Sequence, residues 1–352
     1  MSAPKFIIVA LFAITTALAL PAGAGYTLAN DADNIAYPAP PPQVEVATHD
    51  STHVEPELVA TSPLDDAGLA QHALTNQSPI IKPSDPYVDK QWALDKINAF
   101  QLWQVAPVTE AVVVAVLDTG IDPDHQDLNG LIMAEANFTD SPSPADSYGH
   151  GTHVAGIIAA KNDGTGIVGV APGCRLLNVK VADDLGRCQP SALAEGIVWA
   201  VDNGASVINI SIEIKEPSPQ LEEAVNYAWS RGSIIIAAAG NSGNQSPVYP
   251  AYYKNCVAVA AINQDNNLAP LSNYGDWVDV AAPGSDIYST LPENGYGYKT
   301  GTSFATACVS GIAALLFNVV TDANGDGRLN DEVRAVIETG YQEIGLPKSP
   351  GA

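Results

Sequence analysis

A chain of 352 residues with 46% hydrophobic and 7% aromatic side chains has enough apolar content to bury a core, which excludes a molecule disordered or collagen-like throughout. Its 39 acidic against 15 basic residues, a net charge of −24, exclude binding to nucleic acid or to anionic membranes through clustered Lys and Arg. Four cysteines are too few for a disulfide scaffold, and no CxxC metal pair is present.

In chain order, Lys5 precedes an apolar run over residues 6–20, followed by Ala22-Gly23-Ala24, a small-residue cleavage pattern. The run falls short of the ~20 residues that span a bilayer. Residues 1–24 therefore read as a signal peptide and the product as secreted, with an uncleaved anchor as the competing reading. No second run of spanning length follows, so no membrane partner is expected after cleavage. Residues 25–84 hold Pro38-Ala39-Pro40-Pro41-Pro42 among scattered acids, without a sustained hydrophobic period. That is the pattern of a linker or a zymogen's pro-segment. A compact pro-domain is the alternative, with short helical stretches near Leu58 and Leu69.

One domain is predicted over residues 85–352. Near-continuous apolar strands fall at 111–117, 176–181, 206–211, 233–239, 256–262 and 278–282. Helical patterns lie at 152–160, 191–202, 220–230 and 302–320, with another at 331–339. Such alternation predicts an α/β fold, a single parallel sheet with helices on both faces. In such sheets chemistry gathers at the carboxyl ends of the strands.

Asp118 stands at such an end, in Leu117-Asp118-Thr119-Gly120, although a strand-end Asp often only caps a loop. His150 opens a helix in His150-Gly151-Thr152-His153-Val154-Ala155-Gly156. Its two histidines lack the intervening Glu of a zinc motif, and the glycines point to close packing instead. Ser303 begins the long apolar helix in Gly301-Thr302-Ser303-Phe304-Ala305, a position where Ser is usually an N-cap. Asn241 follows a strand in Ala238-Ala239-Gly240-Asn241-Ser242-Gly243 and by itself reads as a turn residue.

Taken together the four fit one chemistry. A hydroxyl becomes a nucleophile when a base removes its proton, and His150 is such a base, with Asp118 to hold its tautomer. The helix N-terminus at Ser303 favours an oxyanion, and the Asn241 amide offers it a further donor. The order Asp, His, Ser within these motifs resembles the subtilisin-like serine peptidases, or subtilases, from Asp85 to Tyr341. The approach Ser84-Asp85-Pro86-Tyr87 looks most like the thermitase branch. The resemblance implies a serine endopeptidase that works through an acyl-enzyme, with Asp118, His150 and Ser303 as triad and Asn241 as oxyanion donor. It implies protein or peptide substrates and a monomer.

In that family an extended substrate adds as a strand between two segments, which here match Gly186-Arg187-Cys188 and Ser211-Ile212-Glu213, with Gly240 beside them. The family usually carries Leu-Gly-Gly where this chain has Ile212-Glu213-Ile214. Glu213 is expected either to bias cleavage toward Lys or Arg or to turn to solvent. Val248 matches a pocket-floor position that often carries glycine, so a shortened pocket is expected. Cys256 and Cys308 read as buried small hydrophobes, while Cys174 and Cys188 leave a disulfide open.

By the same resemblance Asp85, Asp127 and the loop 161–167, with Lys161, Asp163, Thr165 and Ile167, match a structural Ca²⁺ site. A hard cation wants carboxylates and carbonyls, and a Gly-rich loop lets several carbonyls converge. A second loop, residues 322–330, has Asp322, Asn324 and Asp326 at the first, third and fifth positions of an EF-hand-type pattern and Gly327 at the sixth. Val333 takes the place of the closing Glu, so Asp331 or Glu332 would have to substitute; an acidic, well-capped turn is the alternative.

Overall fold

The computed structural model describes residues 82–107 and 112–340. The expected signal peptide, residues 25–81 of the expected pro-segment, Ala111 at the start of the first predicted strand and residues 341–352 lie outside the described residues.

The strands are β1 (Val113–Asp118), β2 (Ile132–Asn137), β3 (Arg175–Lys180), β4 (Val207–Ile210), β5 (Ile234–Ala238), β6 (Cys256–Ile262) and β7 (Val280–Pro283), then a hairpin of β8 (Ile287–Leu291) and β9 (Gly295–Lys299). The helices are α1 (Trp92–Lys96), α2 (Ala99–Val105), α3 (Gly151–Ala159), α4 (Pro190–Asp202), α5 (Pro219–Ser230), α6 (Thr302–Leu316) and α7 (Asn330–Thr339). The first seven strands form one parallel sheet in the order β2-β3-β1-β4-β5-β6-β7.

Why the sheet is covered on both sides can be read from β1, whose six residues are all buried. Successive side chains point to opposite faces. Val114 and Val116 join residues of α3, α6 and α7, whereas Ala115 and Leu117 join residues of α4 and α5. Proline sets two of the helix starts. Pro190 and Pro219 occupy the first turn, where a missing N–H costs nothing, and Ser218 Oγ accepts the Leu221 N–H ahead of α5. All fifteen residues of α6 are buried, and its apolar, small-residue composition all round suits a helix enclosed by the protein.

Topology then places the site. From β1 the chain passes to the edge strand β2, returns to β3 beside β1, and crosses to β4 on the other flank of β1. The winding reverses between β1 and β4, so the loops leaving their carboxyl ends diverge and open a crevice.

The predicted α/β sheet is therefore present, with some differences. β2 is an edge strand with Met133 exposed, and its short run of apolar residues gives little periodic signal. The hairpin β8–β9 turns through Glu293 and Asn294, both at positive φ, and Glu is a poor advertisement for such a turn. α6 stops at Leu316, short of the predicted residue 320.

Candidate active site

Asp118 is the last residue of β1 and is 1% exposed. Its Oδ1 accepts the Thr119 N–H at 2.7 Å and faces His150 Nδ1 at 2.7 Å. A carboxylate only accepts, so the proton sits on Nδ1 and Nε2 is left as the basic nitrogen. Burial pulls the imidazole pKa down, but the charge and hydrogen bond of Asp118 outweigh it and hold the pKa above its ordinary value.

His150 is held by the turn before α3. Asp146 organises that turn: its carboxylate accepts from the Thr119 hydroxyl, the N–H groups of Tyr148, Gly149 and Thr152, and the Thr152 hydroxyl, at 2.7–3.0 Å. Gly151 has to be glycine, since a Cβ there would stand 2.0 Å from the Gly120 carbonyl. The sequence motifs flagged Gly151 but not Asp146. A carboxylate four residues before His150 was the available signal.

Ser303 lies in the first turn of α6 and is 5% exposed. Its hydroxyl donates to the Ser211 carbonyl at 3.4 Å, and the Ser211 hydroxyl donates back to the Ser303 carbonyl at 3.1 Å. The next residue, Phe304, sets its ring 5.5 Å from the His150 ring and 4.6 Å from that of His153. The start of α6 thus packs beside the imidazole. His153 is no metal partner for His150: its Nε2 donates to the Gly297 carbonyl at 3.1 Å, and burial lowers its pKa to about 3.

Asn241 leaves β5 next to the same helix start. Its Oδ1 accepts both the N–H and the hydroxyl of Thr302, at 2.9 and 3.1 Å. With the oxygen so committed, the NH₂ is the end free to donate. Gly240, at φ +97°, precedes it.

The two expected groove segments follow β3 and β4, the strands that flank β1. The first is a closed loop in which Asp183 accepts from Arg187 N–H and pairs with its guanidinium at 2.7 Å, while Ala182 bridges Cys188. Gly186 lies against the exposed ring of Tyr148. In the second, Ser211 meets Ser303 and Glu213 Oε2 accepts the Asn241 backbone N–H at 3.1 Å. Ile212 packs at the edge of the core between them. All four cysteines are free, and Cys174, Cys256 and Cys308 are buried. Burial pushes the Cys188 thiol up to about 12, with the Asp118 and Asp183 charges adding to the effect.

The first expected ion site is also assembled from distant segments. Asp85 Oδ1 accepts the Gly164 N–H, Asp127 Oδ2 accepts the Ile167 N–H, and the Tyr87 N–H donates to the Gly166 carbonyl. Asp85 Oδ2 and Asp127 Oδ1 are buried without a hydrogen-bond partner. The Lys161 side chain turns to Asp163 at 3.4 Å, which leaves only its carbonyl as a ligand, and Asp163 also caps Thr165. Tyr296, from β9, bonds Gln126 at 2.8 Å beside the cluster.

In the second loop Asp322 accepts the N–H groups of Gly325, Asp326 and Gly327, and Asn324 donates to Asp331 at 2.6 Å. Asp326, however, is paired with the Arg328 guanidinium at 2.5 Å. That cation already occupies the fifth-position carboxylate.

The profile of the Subtilase family matches residues 109–348. The chain belongs to the subtilase family. This subtilase is similar to thermitase of Thermoactinomyces vulgaris, 45% identical over 265 residues that cover 74% of the chain and 92% of the relative. It is also 44% identical over 265 residues to the thermophilic serine proteinase of Bacillus sp. strain AK1, covering 74% of the chain and 64% of the relative. Subtilisin BL of Lederbergia lenta is 46% identical over 226 residues, 64% of the chain and 83% of the relative. The subtilase is accordingly a serine endopeptidase of the thermitase branch.

Proposed function

We propose that Asp118, His150 and Ser303 form the catalytic triad, with Asn241 as oxyanion donor, and that the enzyme cleaves protein or peptide substrates as a secreted, calcium-stabilised monomer. The observation that carries the triad is the 2.7 Å bond from His150 Nδ1 to Asp118, which leaves Nε2 basic beside the helix start that bears Ser303.

The Ser303 hydroxyl attacks the peptide carbonyl while its proton passes to His150 Nε2. Asp118, buried against Nδ1, stabilises the imidazolium. The carbonyl oxygen becomes an oxyanion held by the Asn241 NH₂ and the Ser303 backbone N–H at the positive end of α6. His150 then protonates the leaving amine. A water molecule, deprotonated by His150, hydrolyses the acyl-enzyme, and the mature enzyme returns to its starting state.

Calcium fits the donor set at Asp85 and Asp127. Each contributes a buried carboxylate oxygen that has no hydrogen-bond partner, and a hard cation satisfies such atoms. Carbonyls of the loop 161–167 supply the neutral ligands. The bound ion would tie Asp85 at the N-terminal edge of the domain to the loop after α3. At the second loop Arg328 competes for Asp326, so binding there is weaker. Secretion rests on the apolar run 6–20 and its cleavage pattern.

The test is digestion of denatured casein with calcium present. Wild type should cut it, Ser303→Ala should not, and an irreversible serine-directed inhibitor should label only the former, on Ser303 by mass spectrometry. Casein left intact by folded wild type, or a label elsewhere, refutes the assignment.

A further inference from the structure

Glu213 spans the slot between the exits of two neighbouring strands. It lies on the segment leaving β4, yet its Oε2 accepts the N–H of Asn241, on the segment leaving β5. A Cβ placed on Gly240 would stand 2.7 Å from that same oxygen and 3.3 Å from Val248 Cγ2. The carboxylate of Glu213, an exposed residue, thus lies at the rim of a space lined by Gly240, Val248 and the Asn273 amide, whose Nδ2 would stand 2.6 Å from the same Cβ. That space adjoins Ser303, whose hydroxyl reaches the Ser211 carbonyl, and Asn241, whose amide is fixed by Thr302. Among the described residues Glu213 forms no ion pair.

We propose that Glu213 selects a basic residue, Lys or Arg, on the acyl side of the bond cleaved, an inference that rests on Ser303 being the nucleophile. A carbonyl attacked by Ser303, with its oxygen at Asn241, directs its own side chain between residues 211–213 and 240–241. A neutral side chain entering there takes the carboxylate out of water and offers it nothing in return. An ammonium or guanidinium meets it with a charge-assisted hydrogen bond. Val248, buried beside Gly240, takes up room in this space and leaves less for an aromatic ring.

The test compares kcat/KM on a peptide series that differs only at this residue, with Lys, Arg, Ala, Phe or Glu, for wild type, Glu213→Gln and Glu213→Gly. Wild type should favour Lys and Arg over Ala by about 10- to 100-fold. The ratio should collapse in Glu213→Gln, and Phe should gain in Glu213→Gly. Ratios are taken within each variant, so a loss of folded enzyme cancels. A wild-type preference for Ala or Phe, or a Lys-to-Ala ratio that survives Glu213→Gln, overturns the inference. Casein digestion in parallel separates the two failures: cleavage without basic bias defeats the role of Glu213 alone, whereas intact casein defeats the role of Ser303.

Discussion

Asp118 and Lys180 stand opposite each other in register at the carboxyl ends of β1 and β3, and both are buried. The Lys180 ammonium donates to the Thr119 and Ala145 carbonyls and pairs with Asp184 at 2.9 Å. One cation thus pins the backbone after Asp118, the backbone just before Asp146 and the loop carrying Gly186. Lys180→Met keeps the bulk and strands the two carbonyls. It should lower stability by about 1–3 kcal/mol in urea titrations of a Ser303→Ala background, where self-digestion is absent. An unchanged midpoint would show that the lysine is dispensable.

Asp118→Asn should act on both rate and pH profile. Because Asp118 raises the His150 pKa against burial, removing its charge lowers that pKa. Activity is lost as pH falls through the folded pKa, so the acid limb of kcat/KM should move to lower pH. The plateau should drop by about 10⁴-fold, as the wrong tautomer is no longer selected against. A limb that stays in place would mean that another group controls it.

Asn241→Ala removes a donor without touching Ser303 or His150. The loss known for such a donor in subtilisin-type enzymes is about 10²–10³ in kcat. A fall confined to KM would assign Asn241 to ground-state binding rather than to the oxyanion.

For calcium, a thermal scan of Ser303→Ala should shift upward by about 5–10 °C when the free ion reaches ~100 times its dissociation constant. Asp127→Asn should lose most of that response, whereas Asp326→Ala should leave it nearly intact. An equal response in all three would place the ion elsewhere.

His153 gives a stability prediction of definite sign. Its folded pKa of about 3 lies below the ordinary 6.5, with burial the main cause. The unfolded chain therefore takes up a proton that the native protein refuses. Stability from this group is complete above pH 6.5 and declines as the pH falls toward 3. In the Ser303→Ala background, His153→Gln should narrow the difference in stability between pH 7 and pH 4, by up to about 3 kcal/mol. An undiminished difference would assign the acid sensitivity to other groups.

The sheet was legible because burial on both faces writes itself as apolar runs, and β1, β3, β5 and β6 fall within or close to the predicted limits. β2 left a fainter mark, since an edge strand with one wet face needs few hydrophobes. Asp118, His150, Ser303 and Asn241 were readable from local motifs, each at the end of a strand or the start of a helix. Lys180 was not, because the carbonyls it holds, of Thr119 and Ala145, lie far along the chain, and Asp146 was not, because its bonds within its own turn carry no motif of their own. A lysine inside an apolar strand was the hint available for Lys180. Whether Glu213 faced solvent or the slot was open in the sequence, for a side chain's direction after a strand depends on how the next loop folds. In the structure Glu213 stays exposed at the rim, with one carboxylate oxygen turned inward to the Asn241 N–H.

The four thiols stay apart, and those of Cys174 and Cys308 are held protonated to about 12 by burial. No sulfur–sulfur bond supports this architecture, so dithiothreitol should leave it standing. The proposed calcium site predicts a vulnerability of another kind. If the ion sits there, reagents that strip metal, rather than those that reduce, loosen the seam between Asp85 and the loop after α3, and formulation should guard against chelators before reductants.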